Sequence, residues 1–306
     1  MVQINQAFID KIRNTFRPEQ LLVNEPMSRH TTFKIGGPAD YLFFPSSSAE
    51  VAAIFTLAEQ FHLPLTILGN GSNVLVLDKG IRGIVVKFNS LFSFIRQEGT
   101  TLIAGAGTIL GAVAQFAAKH GLSGLEFAVG IPGSLGGAIF MNAGAYDGEM
   151  KNIVRSVEAV SMNGRPVHYD VSELDLGYRH SIFQENNQAI CEVRLELTEG
   201  DAAAIHQKMA GFTERRVQKQ PLEFPSAGST FKRPEGHFAG TLIENTGLKG
   251  FHIGDAQISL KHAGFVVNTG NATASDVLQL IGEVQDRVFK QHGVMLYPEV
   301  RILGEE

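Results

Sequence analysis

Apolar positions along the chain change their period several times, and the changes mark out its elements. Val51, Ile54, Phe55, Ala58 and Phe61 recur at helical intervals behind Ser47-Ser48-Ala49-Glu50, which has the S-x-x-E spacing of a capping box. The spacing predicts a helix there, closed by Pro64. Residues 65–68, 74–77, 84–87 and 101–104 are apolar runs of strand length. A helix is expected over 109–120, with Gly121 as its stop. Strand patterns resume at 154–162, 167–169 and 189–198. Helices are predicted over Ala202–Lys219, before Pro221, and over 275–292, with a last strand over 299–303. Such a mixture indicates α+β or α/β, and periodicity alone does not order the sheets.

Composition narrows the class. The chain has 306 residues, enough for two or three domains, and Glu199-Gly200-Asp201 is a plausible boundary. A net charge of −5 argues against sequence-independent nucleic-acid binding, which relies on a basic face. The single cysteine, Cys191, permits no intramolecular disulfide and reads as a small buried hydrophobe. None of the ten histidines stands in an H-E-x-x-H or paired spacing, so no metal site is expected. The first twenty residues lack the apolar block of a signal peptide. Residues 127–146 carry no charge, but six glycine or proline breakers exclude a lipid-exposed helix. A soluble, cytoplasmic protein without membrane insertion is expected.

Glycine is the informative excess: 33 of 306 is about 11%, against roughly 7% on average. The glycines fall in knots rather than a repeat, which signals sharp turns or backbone lying close to a ligand. A P-loop is excluded because no Gly-Lys-Ser or Gly-Lys-Thr occurs. A dinucleotide G-x-G-x-x-G fits poorly: after Gly69-Asn70-Gly71 the third position is Val74, and after Gly105-Ala106-Gly107 the next glycine, Gly111, is one place late. A third reading is a pyrophosphate held by the backbone amides of turns. Gly69-Asn70-Gly71-Ser72-Asn73 suits it, and Gly130-Ile131-Pro132-Gly133-Ser134 supplies a second turn. On spacing alone, ordinary tight turns explain both equally well.

The motifs together resemble one family. Residues 68–75, Leu-Gly-Asn-Gly-Ser-Asn-Val-Leu, resemble the FAD-pyrophosphate loop of the UDP-N-acetylenolpyruvoylglucosamine reductases, also called UDP-N-acetylmuramate dehydrogenases. The likeness continues through His30-Thr31-Thr32-Phe33-Lys34-Ile35-Gly36-Gly37, residues 130–137 and Met141-Asn142-Ala143-Gly144-Ala145-Tyr146. It extends over Leu176-Gly177-Tyr178-Arg179-His180-Ser181-Ile182-Phe183, Ser226-Ala227-Gly228-Ser229-Thr230-Phe231 and Tyr297-Pro298-Glu299-Val300-Arg301. The resemblance implies an α+β fold: an FAD-binding region of two α+β subdomains (vanillyl-alcohol oxidase or PCMH-type) and a C-terminal α+β substrate domain. The corresponding segments are an N-terminal helical segment 1–33, the FAD region 34–199 and the substrate domain 200–306. FAD would be noncovalent, since no histidine lies in 69–73.

The family reaction passes hydride from NADPH to FAD, and from there to the β-carbon of the enolpyruvyl ether on UDP-N-acetylglucosamine. Negative charge then develops at the α-carbon and its carboxylate, and protonation gives UDP-N-acetylmuramate for cell-wall peptidoglycan. An enol ether accepts hydride only if that carboxylate is polarised, and a proton must reach the α-carbon by a fixed path. By motif match Arg179 and Glu299 are the polarising pair and Ser229 is the proton donor. Arg179 can fork two N–H groups onto one carboxylate. Glu299 beside a carboxylate requires a cation partner such as Arg179, or a proton. The resemblance also assigns Gly69, Asn70, Gly71, Ser72, Asn73, Gly130, Ile131, Pro132, Gly133, Ser134, Gly137, Ala138 and Tyr146 to the cofactor. Arg216, Lys219, Lys232 and Arg301 are candidate clamps for the UDP or NADPH phosphates. Without the family match, each of these would read as a cap, a strand-edge charge or a solvated face.

Two positions depart from the family pattern: Asp147 follows Tyr146 in place of glycine, and Arg233 stands where the longer branch has asparagine. The short connection before the 202–219 helix lacks the tyrosine-bearing insertion of type I enzymes, so the chain resembles the shorter type II branch. A flavin oxidase of the wider fold group and a catalytically silent nucleotide-sugar binder are the competing readings. Reoxidation by oxygen would favour the first, and a colourless protein the second.

Overall fold

A computed structural model describes residues 5–305. Residues 1–4 of the expected N-terminal helical segment lie outside them. Within that segment a helix covers only Gln6–Thr15, capped by Asn5, and Leu21–Pro26 is a strand. The molecule divides into two compact units built from alternating stretches of chain. One comprises the chain up to Val23, Asp40–Asn70 and Gly83–Arg216; the other comprises Asn24–Ala39, Gly71–Arg82 and the chain from Val217. The expected contiguous border near 199/200 thus gives way to one after Arg216. The cause is the Ala202–Lys219 helix, whose buried Ile205 and Met209 belong to the core of the first unit.

Two of the larger sheets among the described residues lie mainly in the first unit. A four-stranded sheet has the order Leu21–Pro26, Pro38–Phe43, Ile81–Lys87, Leu65–Leu68. Its last two strands are parallel, with Leu65 opposite Ile84 and Leu68 opposite Lys87. The connecting Ser48–Gln60 helix starts where its capping signal lies: Ser47 accepts from the Glu50 N–H at 3.2 Å. Glu50 does not complete the reciprocal half of the box, because its carboxylate instead accepts from Ser46 and Gln20. A five-stranded antiparallel sheet has the order Pro166–Asp170, Val154–Val160, Ala189–Glu196, Thr101–Gly105, Ile95–Glu98. Val157, Val193, Leu195, Leu102 and Ala104 face one core with Leu110, Val113 and Ala117 of the Leu110–Lys119 helix. That helix ends at Gly121, whose φ of +67° is the left-handed value expected of a glycine stop.

The second unit has a separate core. Its sheet runs Ser226–Ser229, Phe265–Asn268, Ala256–Ile258, His252–Ile253, all antiparallel. The Ala274–His292 helix lays Val277, Leu280, Ile281, Val284 and Val288 into that core. Two early segments complete it. Phe33, Ile35, Leu75 and Leu77 are buried there, and Val74–Val76 pairs in parallel with Arg301–Leu303. The last strand is therefore shorter than the predicted 299–303. Among the described residues, no helix is long and apolar enough to cross a membrane.

Candidate active site

The 69–73 turn begins where the Leu65–Leu68 strand ends, and the division between the units falls inside it, after Asn70. Among the described residues, no acceptor takes the backbone N–H groups of Asn70, Gly71, Ser72 or Asn73. Unpaired backbone donors are costly unless water or a ligand accepts from them, and a run of them forms an anion site. In the first unit this turn packs against the second glycine turn. A Cβ on Gly69 would run into the Ser134 hydroxyl, and Asn70 Nδ2 donates to the Pro132 carbonyl at 3.4 Å. Ser134 also caps the Leu135–Phe140 helix by accepting from Gly137 N–H. In the second unit Gly71 has φ +68°, and a Cβ there would meet the backbone of His30 and Thr31. Its carbonyl accepts from Thr32 N–H at 3.1 Å. Unused donors and glycines with no room for side chains fit the pyrophosphate of FAD.

The loop bearing Arg179 is tied to the far end of that same short helix. Asn142, just past the helix, donates to Gly177 O at 2.9 Å, and Ser181 Oγ donates to Phe140 O at 2.8 Å. Gln184 Nε2 reaches both Phe140 O and Arg179 O at 2.9 Å. These bonds hold Arg179 with φ +56°, a left-handed conformation uncommon for a bulky residue. Its guanidinium lies over the Tyr178 ring, 5.1 Å from the centroid. His180 next to it faces Asp175 at 3.0 Å and Glu185 at 3.6 Å.

Ser229 and Glu299 come together in the second unit. Glu299 N–H donates to Thr230 O at 2.8 Å, and Phe231 bridges to Pro298, so the two candidates sit on adjoining extended segments. Ser229 is half-buried, and its hydroxyl donates to Phe231 O at 3.3 Å. The same segment meets the glycine turn: Asn73 Nδ2 donates to Glu299 O at 3.4 Å, and Arg301 N–H donates to Asn73 O at 3.0 Å. Thr32 joins the two sides, its hydroxyl donating to Ser226 O at 2.7 Å.

In the first unit Tyr146 and Arg216 are neighbours, and in the second the backbones of Lys232 and Arg301 adjoin the Glu299 segment. Tyr146 stacks on Phe212, with centroids 4.4 Å apart and rings 2° from parallel, and donates to Phe212 O at 3.1 Å. Arg216 lies over Gly130, where a Cβ would stand 2.8 Å from the arginine Cδ; burial pulls its guanidinium below the ordinary value. Lys219, Lys232 and Arg301 are exposed. The sequence reading passed over Lys87. It is 7% exposed, its Nζ donates to Gly69 O at 2.7 Å, and burial lowers its pKa to about 8. The signal was present as a charge closing the apolar run 84–87.

Comparison with known proteins finds two matching families along the chain. The description "FAD binding domain" matches residues 39–170, and "UDP-N-acetylenolpyruvoylglucosamine reductase, C-terminal domain" matches 220–303. The UDP-N-acetylenolpyruvoylglucosamine reductase of Caldanaerobacter subterraneus subsp. tengcongensis is 49% identical over 98% of this chain and 99% of its own. That of Agathobacter rectalis is 49% identical over 99% and 100%. Among solved structures, the Thermus caldophilus reductase superposes with a TM-score of 0.80 at 37% identity, covering 92% of this chain and 98% of its own. The grass pollen allergen Phl p 4 shares the fold over 64% of this chain and 44% of its own, with a TM-score of 0.51 at 14% identity. With this identity running almost end to end, the chain belongs to the UDP-N-acetylenolpyruvoylglucosamine reductase family and is an FAD-dependent oxidoreductase.

Proposed function

We propose that the protein reduces UDP-N-acetylenolpyruvoylglucosamine to UDP-N-acetylmuramate with NADPH as hydride donor, in cytoplasmic synthesis of peptidoglycan precursors. The observation that carries this reading is that Glu299 is tied by hydrogen bonds to Thr230, the neighbour of Ser229, and to the Asn73 amide of the glycine turn. Noncovalent FAD supplies a hydride carrier between NADPH and the β-carbon of the enolpyruvyl group. The residues of this chain do the rest. Arg179 forks onto the substrate carboxylate and stabilises the charge that grows there as hydride arrives, an interaction stronger in the transition state than before it. Glu299 orients the enolpyruvyl end of the substrate. Ser229 donates its hydroxyl proton to the α-carbon, a step a weak acid can take only toward a strongly basic carbon. Its hydroxyl first gives up its bond to Phe231 O. Arg216, whose charge is costly to bury unpaired, takes a phosphate of the UDP moiety or of NADPH, with Lys219, Lys232 and Arg301 as exposed additional cations.

Deuterium labelling tests the scheme. In heavy water, solvent deuterium is expected at the α-carbon of the lactyl ether. Product without deuterium at that carbon, or NADPH consumption that is independent of the UDP-sugar, would refute it.

A further inference from the structure

Lys87 closes the Ile81–Lys87 strand opposite Leu68, the residue before the glycine turn. That register carries its side chain to the turn, and its ammonium donates to the Gly69 carbonyl at 2.7 Å. A lysine is almost never this buried without a task that repays desolvation. In a trans peptide the C=O and N–H point in opposite directions. A cation on the Gly69 oxygen therefore polarises the Gly69–Asn70 peptide and strengthens the N–H of Asn70 as a donor on the other side. That N–H has no protein acceptor among the described residues.

We infer that Lys87 is a positioning residue for FAD: its ammonium fixes and polarises the Gly69–Asn70 peptide and adds buried positive charge to the turn that takes the FAD pyrophosphate. The inference rests on the assignment of the 69–73 turn to that pyrophosphate. A bound dianion favours the charged lysine, so FAD binding raises the Lys87 pKa from about 8 and takes up protons near that pH. FAD affinity then falls as pH rises through this range. Of the neighbouring elements, the Pro38–Phe43 strand carries Asp40 and Tyr41, and the Ile81–Lys87 strand itself carries Arg82. The Leu65–Leu68 strand, both glycine turns and the Leu135–Phe140 helix carry no ionisable side chain.

The test is FAD release from holoenzyme, followed by flavin fluorescence on dilution, for the wild type, Lys87→Met, Lys87→Gln and Gly69→Val. The wild-type dissociation constant is expected to rise between about pH 7 and about pH 9, by at most about tenfold per unit. Lys87→Met and Lys87→Gln should weaken binding by about tenfold or more at pH 7 and flatten the profile. Glutamine keeps a donor without charge, so its failure to rescue assigns the effect to the cation. Circular dichroism checks that the variants fold, and the wild-type profile tests the inference even if they do not. A flat wild-type profile overturns it, as does a slope that persists in Lys87→Met, which would belong to Asp40, Tyr41 or another group. Loss of FAD in Gly69→Val with normal binding in both Lys87 variants sinks this inference alone. Retention of FAD in all three variants sinks the turn assignment as well.

Discussion

Ser229 offers the cleanest separation of roles at the level of single residues, because its proposed work begins only after hydride has reached the substrate. Reduction of bound flavin by NADPH needs no proton from it. In Ser229→Ala, anaerobic stopped-flow should show near-normal bleaching of the flavin by NADPH. Reoxidation by the enolpyruvyl substrate should slow by about 10²–10⁴-fold, the usual cost of a lost general acid. Among the described residues the hydroxyl bonds only to Phe231 O, at 3.3 Å, so its removal leaves the strand pairing of Ser226 with Val267 untouched. Equal slowing of both half-reactions would make Ser229 a shaper of the site, and slowing of neither would remove it from the chemistry. The sequence pointed to Ser229, Glu299 and Arg179 through motifs, yet it carried no sign that Arg179 adopts φ +56°. Nothing in Gly-Tyr-Arg-His-Ser calls for a left-handed arginine; that conformation is imposed by hydrogen bonds from residues far away in the chain.

Those bonds belong to the level of elements, where the short Leu135–Phe140 helix matters most. One end is capped by Ser134, which packs on Gly69, and the carbonyls at the other end hold the Arg179 loop. Periodicity could not show this helix. It is six residues long and contains Gly136 and Gly137, poor helix formers that would ordinarily argue against it. Gly136 is required because a Cβ there would stand 2.8 Å from Ala106 Cβ, so the close approach to the neighbouring backbone outweighs propensity. The longer Ala202–Lys219 helix, whose Gly211 stands in open space, was legible from its pattern and from Pro221 beyond it. Gln184 tests the linkage, since its one amide spans Phe140 O and Arg179 O. Gln184→Leu should cost about 1–3 kcal/mol of stability through the two hydrogen bonds lost. If the loop positions a catalytic arginine, turnover should fall while flavin content and reduction by NADPH stay near normal. Unchanged turnover in a folded, yellow variant would show that Arg179 does not depend on this tether.

At the level of the whole molecule, the order of segments along the chain differs from their order in space, and local patterns cannot report that. Each unit is assembled from three separated stretches. The chain from Val217 onward carries the Ser226–Ser229 sheet and the Ala274–His292 helix, so its sequence reads like a self-sufficient α+β domain. Its core says otherwise. Phe33, Ile35, Leu75 and Leu77, exposed by 1%, 2%, 0% and 6%, come from the two early stretches. Among the described residues the Arg301–Leu303 strand pairs only with Val74–Val76. Ala274 and Ser275 N–H at the start of the long helix donate to the carboxylate of Asp78, at 2.8 and 3.0 Å. Burying four such side chains is worth about 1.5–3 kcal/mol each, which together rivals the roughly 5–15 kcal/mol net stability of a whole domain. A fragment spanning residues 200–306 should therefore lack a cooperative thermal transition. A variant in which residues 24–39 and 71–82 are joined to 217–306 through flexible linkers should regain one. Cooperative unfolding of the 200–306 fragment alone, seen by circular dichroism and calorimetry, would show that the early segments decorate this unit rather than complete its core.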